Sequence, residues 1–451
     1  MTACEAFRHS LTVDTEACVG CAHCIRRCPT KALRIRSGRA SLRKDWCVDC
    51  GECLKVCPVG AIYVQQDDFD RIFDFACRAV IFPAAFLGQF PETYSEAEIM
   101  AALRALGFTH AFPVEMSVGI IRERMAAEIA ANADKPLVSS LCPAVVRLIQ
   151  TKFPDLVDRI MTLRTPVETT AILSRRRLLA EGYAAAEIGI FYVTPCAAKV
   201  ATGKEDRDGT RLVDGMLNLD SLYNRVCRIL GSGRRALAPG AGDEILSCVS
   251  RRDMAWSLTS GEASAFGGRC LAVDGIDNVK DFLERTEATG ELHEVDFLEL
   301  RACNRGCMGG SLTPVNRFLA EQRLRSRLLS HPDGTDETTT PEERLAMRGN
   351  MRVGKVRPMT KLLYNGGIEE VLRSMDAAQR IRQSLPGLDC GACGSPTCES
   401  LSHDIVRGEA LASDCIFAHI ASEPDGGGDA MNRLERVWGC ERFRRDPKKQ
   451  G

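Results

Sequence analysis

Between Ala79 and Leu328 the chain alternates two kinds of hydrophobic pattern. The stretch SEAEIMAALRALGF, starting at Ser95, sets apolar residues at helical spacing, and the short apolar run THAFPV follows it directly. Another apolar run, IGIFYVTP, begins at Ile188 and leads straight into Cys196. Helices interleaved with short apolar strands predict an α/β domain. From Ser330 to Lys355 the pattern turns polar and includes TDETTTPEER, which reads as a linker or surface excursion. Ile368, Val371, Leu372, Met375, Ala378 and Ile381 then recur at helical spacing and predict a connecting helix. The tail carries Gly426, Gly427 and Gly428 and ends in basic residues, the pattern of a flexible segment.

Length and charge narrow the classes. The 451 residues suggest about three domains. Lys and Arg number 59 against 60 Asp and Glu, so no charge excess points to nucleic acid. The longest apolar run, Ala79 to Gly88, contains Pro83 and is far short of the ~20 residues of a membrane span. The N-terminal MTACEAFRHS lacks the apolar core of a secretory signal. These features predict a cytoplasmic protein. Cysteine is the outlier, with 22 in tight clusters, which suits metal better than disulfides in a reducing compartment.

Cys18, Cys21, Cys24 and Cys28-Pro29 repeat as Cys47, Cys50, Cys53 and Cys57-Pro58. Two runs of C-x2-C-x2-C-x3-C-P are the bacterial signature of paired 4Fe-4S clusters, in which the fourth cysteine of each run serves the other cluster. Cys18, Cys21, Cys24 and Cys57 are therefore assigned to one cluster, and Cys47, Cys50, Cys53 and Cys28 to the other. A zinc site is the alternative for such spacing, but eight cysteines with a proline closing each run favour iron. Near the other end, Cys390, Cys393, Cys398 and Cys415 follow C-x2-C-x4-C-x16-C, with Gly387, Gly391 and Gly394 allowing tight turns. This segment resembles the small 4Fe-4S domain of corrinoid iron–sulfur proteins and electron-transport subunits; zinc is again the alternative. His403 reads as a polar surface residue rather than a ligand.

Four further cysteines lie at the ends of apolar stretches, in SSLCP at Cys142, TPCAAK at Cys196 and ACNRGCMGG at Cys303 and Cys307. On chemistry alone they can converge on another cluster or be buried thiols, and the isolated Cys77, Cys227, Cys248 and Cys270 are read as buried thiols. SSLCPAVVRLIQTKFPDL, VTPCAAKV and ACNRGCMGG, in this order, resemble the three H-cluster motifs of the iron-iron hydrogenases. That resemblance implies an α/β multidomain protein: a small α+β two-cluster ferredoxin domain (9–68), a large H-cluster domain of two lobes (75–328), a linker and connecting helix (329–385), a 4Fe-4S module (386–418) and a flexible tail (419–451). It implies that Cys142, Cys196, Cys303 and Cys307 hold a 4Fe-4S cubane. Cys307 then bridges to a two-iron azadithiolate subsite with carbonyl and cyanide ligands, and Lys199 hydrogen-bonds a cyanide. In all it implies four 4Fe-4S clusters, two of them ferredoxin-type, one in the H-cluster and one C-terminal. The implied partners are dihydrogen and protons, hydrogenase maturation proteins, and a redox partner that is a ferredoxin, an oxidoreductase or a signalling protein.

The departures from the family pattern set the expected rate. Leu141 replaces the cysteine that passes protons to the bridging amine, and Arg301 and Thr194 replace two methionines of the motifs. Thr202 stands where a glutamate is expected, with Glu205 nearby, while Glu123 and Glu128 lie upstream of Leu141. Arg301 either donates to a subsite ligand or forms a surface salt bridge. Since positioned acid–base groups contribute about 10²–10⁴-fold, slow turnover is expected. The domain order and Leu141 resemble the branch of the family assigned to sensing or regulation. The rival readings are an assembly-type iron–sulfur protein that has lost the two-iron subsite, and an electron-transfer subunit.

Overall fold

The computed structural model describes all residues except 1–7, 133–135, 204–210, 233–242, 334–337, 360–363, 365–366, 421–431, 434–435 and 438–451. Glu205 and most of the 419–451 tail therefore lie outside the described residues. The protein is a multidomain α/β molecule that divides into two compact units, 64–358 with 48–50, and 1–47 with 51–63 and 359–451.

The larger unit is built on two parallel sheets. Four strands run in the order His110–Pro113, Cys77–Phe82, Ile188–Thr194, Gly215–Asn218, and three in the order Cys270–Asp274, Phe297–Arg301, Leu137–Val138. Every pairing is parallel. Parallel sheets need both faces covered, which explains why Cys77–Phe82 and Ile188–Thr194 read as apolar runs rather than alternating ones. Strong local signals start the covering helices. Ser95 and Thr165 form capping boxes with Glu98 and Glu168 at the heads of Glu96–Ala105 and Pro166–Ala180. Val80, Phe82, Phe86, Phe191 and Met308 are sealed in one core, and Val138, Leu148, Ile149, Leu298 and Leu300 in another.

Within the polar stretch read as a linker or surface excursion, residues 338–355 are ordered onto this unit. Thr340 and Glu343 cap a helix over Pro341–Arg348, Arg177 holds Glu343 through Nε at 2.7 Å, and Met347 and Met351 are buried. Two methionines at the end of a polar run provide the anchoring that average polarity conceals.

The smaller unit pairs Leu11–Val13 with Ile62–Val64 and carries a hairpin of Leu33–Arg36 and Arg39–Leu42. Ser37 and Gly38 both adopt positive φ in its two-residue turn, as the twist of such hairpins favours. The cysteine segment 390–415 packs on this hairpin within the same unit. Ile35 N–H donates to the Gly394 carbonyl at 2.8 Å, and a Cβ on Gly394 would lie 2.2 Å from the Ile35 carbonyl oxygen. Asp404, on the helix Cys398–Val406, is fully buried and accepts from Arg34 (2.5 and 3.1 Å), Arg36 (3.0 Å), Arg43 (3.0 Å), Arg407 (3.0 Å) and the Ser395 hydroxyl (2.7 Å). His403, expected at the surface, is half-buried and bonded to the Tyr364 hydroxyl at 2.6 Å.

Candidate metal centres

The repeated cysteine motif has a repeated backbone. Gly20 and Ala22 in the first run, and Asp49 and Gly51 in the second, all hold positive φ. These positions flank the second cysteine of each run, Cys21 and Cys50, and bend the loop there. Four residues after each closing cysteine, an amide donates to that sulfur: Ala32 to Cys28 and Ala61 to Cys57, both at 3.2 Å. Burial, reinforced by Cys18 and Cys21, pushes the Cys24 thiol up to about 12. Burial also raises Cys53, with Cys28 and then Cys24 adding to it. Cys390, Cys393, Cys398 and Cys415 line one hollow of about 320 Å³ walled by Leu388, Leu401, Ile416 and Phe417. Burial pushes Cys393 up to about 11, with Cys390 and Cys415 raising it further. Buried thiols that raise one another cannot all ionise without a cation among them, and iron–sulfur clusters are cysteine-ligated.

In the larger unit three cysteine segments leave the C-terminal ends of parallel strands, where open α/β sheets place their ligands. Leu137–Val138 leads to Cys142, Ile188–Thr194 to Cys196, and Phe297–Arg301 to Cys303 and Cys307. Burial pushes Cys196 up to about 11, with Cys142 and Cys307 adding to the rise and Lys199 opposing it. Ala302 N–H donates to Cys142 Sγ at 3.4 Å, tying the first segment to the third. Pro195 and Gly310 tie the second to the third, and a Cβ at Gly310 would lie 2.2 Å from the Pro195 carbonyl oxygen. Gly310→Ala is accordingly expected to push the Cys307 loop off the Cys196 loop. Reconstituted protein should then lose the iron of this centre, about four atoms per chain if it is a cubane, by elemental analysis against wild type.

Lys199 is not a solvated surface lysine. Its ammonium lies 3.8 Å from Cys307 Sγ. Burial opposes its charge, but Cys307, Tyr192, Cys196 and Cys142 together outweigh burial and hold it protonated well above the ordinary lysine value. Arg301 is no surface salt bridge either: it is 3% exposed and directs Nη1 to Cys307 Sγ at 3.7 Å. Thr194 is buried and donates its hydroxyl to the Cys196 carbonyl at 3.0 Å. Leu141 lies beside a hollow of about 280 Å³ whose wall includes Ile121, Met125, Met161, Ser139 and Glu262. Thr202 spends its hydroxyl on the carbonyls of Ala198 and Lys199. Glu123 pairs with Arg344, and Glu128 with Arg124 and Arg352, so neither faces the cysteines.

Sequence reasoning passed over the buried acids of this centre. Glu115 accepts from Ala84 N–H and the Ser257 hydroxyl, both at 2.8 Å, and burial pushes it up to about 7. Among the described residues its Oε2 and the Tyr192 hydroxyl are buried without a partner. Glu262 is likewise raised by burial to about 7, against the pull of Arg301. Unpartnered buried polar atoms beside raised thiols and a buried ammonium fit a site built around a polar inorganic group.

Residues 76–227 match the family model of the iron only hydrogenase large subunit, C-terminal domain. Residues 17–62 match a 4Fe-4S dicluster domain, and 385–417 an Fe-S cluster domain. Together these matches support an iron-iron hydrogenase-like family of iron–sulfur proteins. It is 25% identical over 324 residues to the NADP-reducing hydrogenase subunit HndD of Solidesulfovibrio fructosivorans, covering 66% of this chain and 52% of that one. Iron hydrogenase 1 of Clostridium pasteurianum is 23% identical over 216 residues, 46% of this chain and 35% of that one. The cytosolic Fe-S cluster assembly factor NAR1 of Cryptococcus neoformans is 30% identical over 105 residues, 23% of this chain and 15% of that one. The chain thus spans about half the length of the first of these relatives and less of the others. The fold matches that of apo FeFe-hydrogenase HydA1 from Chlamydomonas reinhardtii with TM-score 0.50 and 16% identity, over 64% of this chain and 98% of that one. Among the described residues no helix is long and apolar enough to cross a membrane.

Proposed function

We propose that this chain performs slow, reversible dihydrogen oxidation and proton reduction at an H-cluster, in the service of hydrogen or redox sensing in the cytoplasm. The observation that carries the reading is the convergence of two cationic side chains, Lys199 and Arg301, on the sulfur of Cys307. A thiolate that bridges a cubane to a second, anionic group calls for such compensation. In this reading Cys142, Cys196, Cys303 and Cys307 hold the cubane, and Lys199 fixes the two-iron group through a cyanide. When bound, that group supplies the place where dihydrogen is formed or split. Leu141 contributes neither a donor nor an acceptor to proton delivery, which accounts for a slow rate. Cys18, Cys21, Cys24 and Cys57, then Cys47, Cys50, Cys53 and Cys28, and finally Cys390, Cys393, Cys398 and Cys415 hold three further cubanes that pass electrons to a redox or signalling partner. Maturation proteins install the two-iron group.

Sixteen cysteines in four sets predict about sixteen cubane irons per chain, with two more when the subsite is installed. Zinc in place of half the iron would remove the middle and C-terminal assignments. Cys307→Ser should abolish the carbonyl and cyanide infrared bands of matured protein while the ferredoxin-type paramagnetic signals persist. Bands that survive this change would show that Cys307 is not the bridge. The likeness to NAR1 supports the rival reading, an assembly-type protein with the cubane and no two-iron group.

A further inference from the structure

Arg301 stands at the end of the strand Phe297–Arg301, and four of its polar contacts are fixed by the fold. Nε donates to Glu299 Oε1 at 2.6 Å, and Nη2 donates to the Trp256 carbonyl at 2.7 Å and to Glu262 Oε1 at 3.1 Å. Nη1 points at Cys307 Sγ, 3.7 Å away. The two carboxylates are themselves pinned. Glu299 Oε2 accepts the amides of Glu262 and Ala263, each at 2.9 Å, and Glu262 Oε2 accepts the Ser139 hydroxyl at 2.5 Å. Glu299 and Glu262 are 0% and 1% exposed, so the guanidinium has no solvent-facing alternative to this pose.

A salt bridge that served only stability would be complete with Nε and Nη2. The remaining edge of the fork is instead aimed at the sulfur, and its planar geometry is what permits all four contacts at once. Lys199 approaches the same sulfur with its ammonium at 3.8 Å. Hydrogen bonds and positive charge at a cluster sulfur stabilise the reduced, more negative state and so raise its reduction potential.

We infer that Arg301 is a positioning residue that sets the redox potential of the centre held by Cys307. The buried Glu299–Glu262–Ser139 scaffold holds its guanidinium against the sulfur, so that the centre accepts an electron more readily than it would with an apolar residue at 301. The inference rests on the proposed assignment of Cys307 as cubane ligand and bridge. It goes beyond that assignment by giving the residue at 301 a redox role.

The test is infrared spectroelectrochemistry of the full-length matured protein, comparing wild type with Arg301→Met and with the double variant Arg301→Met, Glu262→Gln. The double variant removes one positive and one negative charge. It leaves the formal charge of the trio at −1, so it separates proximity to sulfur from bulk charge and removes one of the two buried carboxylates that a single change would strand. In both variants the carbonyl bands should move to lower frequency. At fixed potential the ratio of reduced to oxidised centre should fall about tenfold, which for one electron corresponds to about 59 mV. If Arg301→Met does not fold, the double variant alone carries the comparison. A ratio within twofold of wild type in the double variant would reduce Arg301 to a structural ion pair. A matured wild type without carbonyl or cyanide bands would instead remove the assignment of Cys307 as bridge, and this inference with it.

Discussion

Asp404→Ala should cost the smaller unit about 3–5 kcal/mol, the usual penalty for stranding a buried charge, because it removes the common acceptor of four arginines. Asp404 has no exposure and Arg34 only 2%, so the arginine left behind cannot turn to water. The cost falls on the packing of the hairpin Leu33–Leu42 against the helix Cys398–Val406 and therefore on the four cysteines around it. Burial alone would raise the Asp404 carboxyl. The hydrogen bonds and charge of Arg34, then Ser395 and Arg43, outweigh burial and hold it below the ordinary aspartate range. A depressed carboxyl stabilises the fold fully above its unfolded value of about 3.9, and that contribution is lost only as pH falls through the lower folded value. Acid unfolding of wild type should therefore carry a component, absent from Asp404→Ala, that sets in below the ordinary carboxylate range. Urea unfolding followed at the iron–sulfur absorbance gives the size of the effect. A loss under about 1 kcal/mol would mean that the arginines are solvated and the hub carries little.

Leu141→Cys should raise dye-linked dihydrogen evolution by matured protein, yet fall well short of the ~10²–10⁴-fold associated with a complete relay. A thiol at 141 restores a donor next to the cysteine segment. The hollow beside it is lined by apolar Ile121, Met125, Met161 and Leu163 and by polar Ser139, Ser140, Arg164, Thr165 and Glu262, while Thr202, where the family pattern has a glutamate, spends its hydroxyl on the carbonyls of Ala198 and Lys199. Of these polar groups, Ser139 and Glu262 are bonded to each other, and the Leu141 amide already donates to Ser139 Oγ at 3.1 Å. Subsite occupancy must be matched by infrared before the rates are compared. A wild type as fast as ordinary hydrogenases would contradict the slow, sensory reading. An unchanged slow rate in the variant would place the block further out than residue 141.

Legibility followed locality. The cysteine runs could be read because their ligands are spaced by one loop, and the backbone repeats that spacing in the paired positive-φ positions 20, 22, 49 and 51. The strand before Cys196 could be read because a fully buried parallel strand leaves a continuous apolar run. Glu299 and Arg301 left a trace in FLELR, since residues two apart on a strand share a face, and two opposite charges there imply a buried pair. Arg301 by itself leaves a choice between a ligand contact and a surface salt bridge, and the Glu262 partner could not be found because it lies 39 residues away on another segment. Asp404 was invisible for the same reason: Arg34 lies 370 residues from it, and nothing in SLSHDIV distinguishes a hub from a helix-surface aspartate. The helix at Pro341–Arg348 was hidden by composition, because its capping box and two buried methionines sit within a run that averages as polar.

The central claim is that the site around Cys307 holds a two-iron group in addition to a cubane. The infrared spectrum of the full chain, co-expressed anaerobically with the hydrogenase maturation proteins, tests it most directly. The account predicts terminal carbonyl and cyanide bands that disappear in Cys307→Ser. A chain that carries its full complement of cubane iron, about sixteen atoms, and shows no such bands would contradict it and establish the assembly-type reading.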